Sequence, residues 1–382
     1  MQDFVEQHNK NQQKKVGAVT HLSYRPHTKT HKCPTLAKIQ IEEYGAIGVC
    51  VQVLDEAQAM VDGGVLDVFV SNQIVGVKKI TRLCELAKRG KISVIVDNMD
   101  NLKDIAAAAV RNGAHIDVLI EVNAGQDRCG VEVTQEGGVS TCVQLAKTVL
   151  DCPQLSFKGI HCYHGGIQHT RKAEERRQQV LDGPVTRANI AVSALEAEGI
   201  PVQVVTGGGT GTFPFESASG RYTEIQPGSY CFMDVDYGDN EDGKNTFENA
   251  LFLHSTVISK TVIEGDQGVA RVVLDAGTKA SSYDSGLPVP LSGWVCGGPS
   301  NRLSSDIADM HNGGDEHSVL MGNHARSLDV GNTLRLIPGH IDPTVNMHQY
   351  LVIVDDADGE SEGSGEPVVV DIWSISGRSP GF

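Results

Sequence analysis

Ile92-Ser93-Val94-Ile95-Val96-Asp97 is a short β-branched run that ends on a carboxylate. The helix-like Asn101–Asn112 follows and stops at Gly113. Asp117-Val118-Leu119-Ile120-Glu121-Val122 then starts the pattern again. A run that is apolar at nearly every position suits a strand covered on both faces, as in a parallel sheet. Outward from this unit, the same kind of run recurs at Val19–Arg25, Ile47–Val53, Val68–Ser71, Ser156–Tyr163, Pro201–Thr206 and Tyr222–Gln226. The first seven of the eight lead into helix-like segments. Pro34 suits the first turn of one that ends at Gly45, and Asp55 is placed to cap the next, which ends near Gly63. Lys78–Lys88 stops at Gly90, and Ala188–Glu198 at Gly199. Proline at the start and glycine past the end is the asymmetry expected of helices. Eight strand–helix units in one run predict a (β/α)8 TIM-type barrel rather than an open doubly wound sheet.

The pattern changes after residue 240. Asp236–Lys244 and Asn312–Glu316 read as polar connections, and Ser255–Ile263, Gly268–Ala276, Leu334–Ile337, Tyr350–Val354 and Val368–Ile375 as strands without long helices between them. Residues 1–238 are therefore expected to form the barrel, and 239–382 a second, mostly β domain with Asp355–Glu366 as a surface hairpin loop. The 382 residues carry 32 Lys and Arg against 48 Asp and Glu, a net charge of −16. Nucleic-acid binding needs a basic footprint, so that class is excluded. No apolar run approaches the roughly 20 residues that span a membrane, and Met1–Lys15 lacks the apolar core of a secretory signal. Nine cysteines without framework spacing point to free thiols and a cytoplasmic or other reducing compartment.

In such barrels the reactive groups follow the strands. Arg25-Pro26-His27-Thr28-Lys29-Thr30-His31-Lys32 follows the first, and Glu121, Asn123 and Arg128 the fifth. His161-Cys162-Tyr163-His164-Gly165-Gly166 follows the sixth, Thr206-Gly207-Gly208-Gly209-Thr210-Gly211-Thr212 the seventh, and Gln226-Pro227-Gly228-Ser229-Tyr230 the eighth. A Gly/Thr loop offers backbone N–H groups without side-chain obstruction, and the loops after strands seven and eight are where barrels often hold phosphate. A phosphate site with a lysine after strand one suggests pyridoxal 5′-phosphate (PLP), carried by Lys29 or Lys32; composition does not choose between them. His340 and Asp342 stand two apart after an apparent strand. If the chain stays extended there, both project to one face and can ligate one divalent ion.

The 25–32 run resembles the Arg-Pro-His-x-Lys-Thr-His-Lys motif of the D-threonine aldolase and D-serine dehydratase family, PLP enzymes of the alanine-racemase fold type. Asn123-Ala124-Gly125, Tyr163-His164-Gly165, the Gly/Thr loop, Asp275–Ala280, Asp315-Glu316-His317 and Pro338–Asn346 extend the resemblance over nearly the whole chain. The family opens with a strand around a Thr-Pro pair, whereas this chain starts inside the following helix, as expected of a processed or truncated form. The resemblance implies Lys29 as the PLP lysine and His164 as general base. It implies a cofactor site of Lys29, Arg128, Tyr163, Thr206, Gly208, Gly209, Thr210, Gly228, Ser229 and Tyr230, and a divalent ion on His340 and Asp342. Manganese is the expected ion, with magnesium and cobalt as alternatives. Dehydratase members tend to show His-x-Cys, so Asp342 favours aldol cleavage of D-threonine to glycine and acetaldehyde, in a homodimer. D-serine or D-threo-3-hydroxyaspartate dehydration, and non-catalytic PLP binding, are the alternatives. His27 and His31 are candidates to orient Lys29. Cys33, Cys129 and Cys162 are expected to be buried fillers, and Trp294 and Trp373 packing residues.

Overall fold

Continuous apolar runs need cover on both sides, and the eight expected strands obtain it by pairing in parallel beneath a ring of helices. The chain is seen in a computed structural model that describes residues 1–13, 21–243, 246–263, 269–291, 309–355 and 368–378. The strands are β1 (Ser23–Tyr24), β2 (Val49–Val51), β3 (Asp67–Gln73), β4 (Lys91–Val96), β5 (Ile116–Glu121), β6 (Leu155–His161), β7 (Val204–Gly207) and β8 (Glu224–Ile225). They lie in the order β1-β8-β7-β6-β5-β4-β3-β2. A parallel bridge between His27 and Cys50 joins the two edges. There Cys50 N donates to Pro26 O at 2.9 Å and Thr28 N to Cys50 O at 2.8 Å. The ring is thus closed, as the eight repeats predict. The helices in this part are α1 (Gln2–Gln13), α2 (Pro34–Glu42), α3 (Leu54–Asp62), α4 (Val77–Ala87), α5 (Met99–Asn112), α6 (Gly138–Leu150), α7 (Ala173–Val180), α8 (Thr186–Ala197) and α9 (Phe213–Ala218).

Strand β5 shows the logic residue by residue. Ile116, Val118 and Ile120 join the large core beneath the helices. Leu119 packs inside the ring with Cys50, Phe69 and Ile95. Asp55 is not the cap expected of it: Val53 occupies that position, and Asp55 lies in the first turn of α3. Glu56 does the capping, its carboxylate accepting from Gln52 N at 2.6 Å and Val53 N at 3.4 Å. Gly113 ends α5 in the left-handed conformation, φ 58°, which favours glycine.

Contacts divide the chain into Met1–Gly228 with Ser376–Phe382, and Ser229–Ile375. The second unit holds β9 (Leu253–Ile263), β10 (Val269–Leu274), β11 (Val289–Pro290), β12 (Asp309–Asn312), β13 (Ser318–Met321) and β14 (Thr333–Ile337), in the order β11-β14-β9-β10-β13-β12. The pairs are antiparallel. Its core includes Val257, Val272, Leu274, Leu320 and Leu336. A separate hairpin pairs β15 (Tyr350–Asp355) with β16 (Val368–Ser374). The unit also carries α10 (Val235–Gly238), α11 (Asn323–Ser327) and α12 (Ile341–Met347). The expected strands are present; β11, β12 and β13 are too short to carry a period-two signal. Val19, Thr20, Lys244, Gly268, Trp294 and the stretch 356–366 lie outside the described residues. No helix among the described residues is long and apolar enough to cross a membrane.

The seam of the ring carries a buried ion pair. Arg25, just past β1, donates to Glu224 on β8 at 3.1 Å and to Asp67 on β3 at 2.6 Å. Arg25→Met leaves Glu224 buried without its cation, and one-sided removal of that kind costs about 3–5 kcal/mol. The urea midpoint of the variant should fall accordingly, and a midpoint equal to the parent's would refute the assignment.

Candidate active site

The loop after β1 places the two lysines that composition leaves open in different surroundings. The chain turns back at Thr28, whose carbonyl accepts from His31 N at 3.1 Å and Lys32 N at 2.7 Å. Lys32 takes a left-handed conformation, φ 50°. Its ammonium is tied to the buried Glu56, the carboxylate that caps α3. Lys32 is therefore committed to structure. Lys29 is half-buried, and its backbone N–H donates to His27 Nδ1 at 3.4 Å. Both histidines of the run hold the loop. His27 Nε2 meets Ser71 Oγ at 3.0 Å, while His31 meets Gln40 Oε1 at 3.2 Å and accepts from Cys33 N at 3.1 Å.

The loops after β5 and β6 bring Arg128, Tyr163 and His164 together. Asn123 organises the first of them. Its Oδ1 accepts from Gly125 N at 2.9 Å and Asp127 N at 3.2 Å, and its Nδ2 donates to Asp127 and Glu132. Arg128 lies over the Tyr163 ring, 5.8 Å from its centroid. His164 Nδ1 accepts from Ile167 N at 3.3 Å. Burial, with the nearby Arg128 and Arg187 cations adding to it, holds the His164 ring below the ordinary histidine range. Its neutral form, able to accept a proton, therefore dominates at neutral pH. A cavity of about 510 Å³ beside it is lined by Gly125, His164, Ile167, Thr170, Asp182 and Arg187, among others. Cys33 and Cys162 are buried as expected. Cys129 is not: it is exposed, because its loop stands away from the core. All eight described cysteines are free.

Close packing shapes the glycine turn after β7. Gly208 has φ +72°, and a Cβ on Gly209 would lie 2.6 Å from Gln168 Oε1. Gly211 N donates to Gln168 Oε1 at 3.0 Å, and Gly211 O accepts from the fully buried Arg176 at 2.7 Å. Among the described residues the N–H groups of Gly208 and Gly209 donate to nothing. Two uncommitted N–H groups side by side suit an anion. The Thr206 hydroxyl faces inward, donating to Glu224 at 2.7 Å and accepting from Gln226 at 2.8 Å. Gly228 stops against the lysine loop, where a Cβ would come 2.7 Å from Thr30 Oγ1. Ser229 and Tyr230 begin the second unit, Tyr230 against Phe247 at 5.6 Å.

His340 and Asp342 lie in the second unit, but the chain does not stay extended there. His340 is extended and caps α12, whereas Asp342 falls in that helix's first turn. The helix starts so early because Asp234 Oδ2 accepts from Ile341 N at 2.9 Å. Burial, helped by the neighbouring Asp342, pushes Asp234 up to about 6. His340 Nδ1 meets Asp284 Oδ2 at 2.7 Å. A carboxylate on one ring nitrogen is the support a metal-bound histidine usually has, so the donor chemistry fits an ion. Among the described residues no three potential ligands gather, and the pair would leave the remaining positions to water or substrate. Sequence reasoning missed Gln168, Arg176, Glu216 and Asp284. None has a motif; Gln168, Arg176 and Asp284 acquire their places through contacts far along the chain, whereas Glu216 bonds Thr212 four residues before it.

Comparison with known proteins agrees along the whole chain. The alanine racemase N-terminal domain family matches residues 7–236, and the serine dehydratase domain family matches 250–354. A D-threonine aldolase of Arthrobacter sp is 42% identical over 359 residues, 94% of this chain and 86% of that protein. A 3-hydroxy-D-aspartate aldolase of Paracoccus denitrificans is 39% identical over 368 residues, with the same coverages of 94% and 86%. The crystal structure of D-threonine aldolase from Filomicrobium marinum superposes with a TM-score of 0.83 at 34% identity, covering 99% of this chain and 90% of that one.

The site's electrostatics can be checked directly. NMR titration of the His164 imidazole should give a midpoint below the unperturbed value of about 6.5. A midpoint above that value would contradict the burial argument.

Proposed function

The chain belongs to the D-threonine aldolase family, and from that premise we propose how its residues split D-threonine and related D-β-hydroxy-α-amino acids into glycine and an aldehyde. The cofactor is pyridoxal 5′-phosphate. Bound, it serves as an electron sink for the carbanion that carbon–carbon cleavage leaves. Lys29 is the residue that holds it. The observation that carries this reading is that Lys32, the competing lysine of the same loop, is sequestered by Glu56. The uncommitted N–H groups of Gly208 and Gly209 receive the phosphate, with Thr210, Gly228, Ser229 and Tyr230 as further contacts and Thr206 behind them. Arg128 and Tyr163 hold the ring.

His164 takes the proton from the substrate's β-hydroxyl. The Cα–Cβ bond then breaks, its electron pair stays on Cα, and the β-carbon leaves as the aldehyde. Protonation at Cα completes glycine. His340, braced by Asp284, and Asp342 would hold a divalent ion, manganese first among the choices, that polarises the hydroxyl as a Lewis acid. A relative 39% identical is a 3-hydroxy-D-aspartate aldolase, so 3-hydroxy-D-aspartate belongs beside D-threonine in the assay.

The test is incubation of purified protein with D-threonine, with and without Mn2+, scored for glycine plus acetaldehyde. Formation of a 2-oxo acid instead would indicate dehydration and overturn the reading. Chelation should abolish turnover while the bound cofactor's visible absorbance persists; full activity after chelation would remove the metal from the proposal. Lys29→Ala should lose that absorbance. Lys32→Ala should keep it yet be less stable by about 3–5 kcal/mol, since it strands a buried carboxylate. The reverse pattern would reassign the lysine.

A further inference from the structure

Behind the glycine turn lies an acid that this chemistry does not use. Glu216, on α9, is 2% exposed. Its Oε1 accepts from the Thr212 hydroxyl at 2.8 Å, and that hydroxyl in turn accepts from Gln168 Nε2 at 2.8 Å. Among the described residues Oε2 meets no hydrogen-bond donor. The carboxyl lies against the turn itself: a Cβ on Gly208 would stand 3.3 Å from Glu216 Cδ and 3.4 Å from Oε2. The residue's own backbone N–H favours the charged form, as the Thr212 hydroxyl does, but the surrounding side chains offer Oε2 nothing. From the end of β6 comes the Cys162 thiol, which burial pushes up. From ahead of β8 comes Tyr222, whose hydroxyl donates to Cys162 O at 2.9 Å. From α7 comes Arg176, which lies over Phe215 at 5.8 Å and donates to the Gly211 and Thr170 carbonyls. From α1 comes apolar Phe4, packed on Phe213 at 4.9 Å. A carboxylate buried this way is costly, and the uncharged acid is the cheaper form.

We propose that Glu216 is a positioning residue that supports the phosphate turn only while protonated, so that cofactor affinity is coupled to its proton. The proposal rests on reading Gly207–Thr212 as the phosphate turn. An ionised Glu216 would place a negative charge on one side of the Gly208 backbone and the phosphate on the other. Burial already pushes the group up to about 7, and a bound phosphate raises it further. By linkage, affinity should fall as pH rises from about 7, by at most tenfold per unit.

The probe is pyridoxamine 5′-phosphate, which forms no bond to Lys29. It is titrated calorimetrically into the full chain, freed of cofactor, between pH 6.5 and 9. Parent protein should lose at least about fivefold more affinity between pH 7 and 9 than Glu216→Gln, which keeps the bond to Thr212 without the charge. Parallel pH profiles for the two would overturn the proposal. Should Glu216→Gln not fold, the parent alone still decides. Binding at pH 8, measured in buffers of different ionisation enthalpy, should take up close to one proton, and zero uptake or release counts against it. Failure of the parent to bind the probe or pyridoxal phosphate at any pH would instead sink the cofactor reading.

Discussion

Barrel closure is reinforced by a single buried guanidinium. β1 and β8 are each two residues long, so backbone ladders alone give the seam few hydrogen bonds. Arg25 compensates by reaching Glu224 on β8 and Asp67 on β3 from one buried position. Burial opposes its charge, yet the two carboxylates outweigh that cost and raise its pKa. The lysine loop begins four residues later and the eighth strand's glycine stops against it, so an error at the seam moves both halves of the site.

From that pair a chain of polar contacts crosses the interior. Glu224 accepts from Thr206, Thr206 from Gln226, and Gln226 meets His161, which is bonded to Glu121. Strands β1, β5, β6, β7 and β8 are thereby linked through side chains. The other half of the interior is filled by Cys50, Phe69, Ile95 and Leu119. One half of the ring is held by packing, the other by directed bonds, and the directed half leads to the ends of the strands from which the site is built. A network with each member bonded is rigid, and rigidity is what keeps the glycine turn and the lysine loop in register.

The fold was legible because its signal is periodic. Eight runs with helices between them survive errors of a few residues at any boundary, and they did: the seventh expected run starts at Pro201 where β7 starts at Val204, and Asp55 proved not to be a cap. The lysine loop and the glycine turn were legible because their residue types are unusual at those positions. The state of each side chain was not. Residue type alone does not distinguish Lys29 from Lys32, and the carboxylate that meets Lys32 stands 24 residues further on. Nothing local marks Glu216 as different from any acid on a short helix.

The sequence by itself determined the alternation, and with it the parallel ring, the order of the loops and the residue types each loop presents. Apolar periodicity and glycine placement are local properties, and a sheet covered on both faces follows from them. Only the tertiary structure decided which polar atoms are committed and which are left over. It bonded Lys32 to Glu56 and His340 to Asp284, bent the chain into a helix at Ile341, and left Gly208 N–H and Glu216 Oε2 without partners among the described residues. Hydrogen-bond satisfaction is a sum over neighbours brought from across the chain, and no window of sequence contains those neighbours.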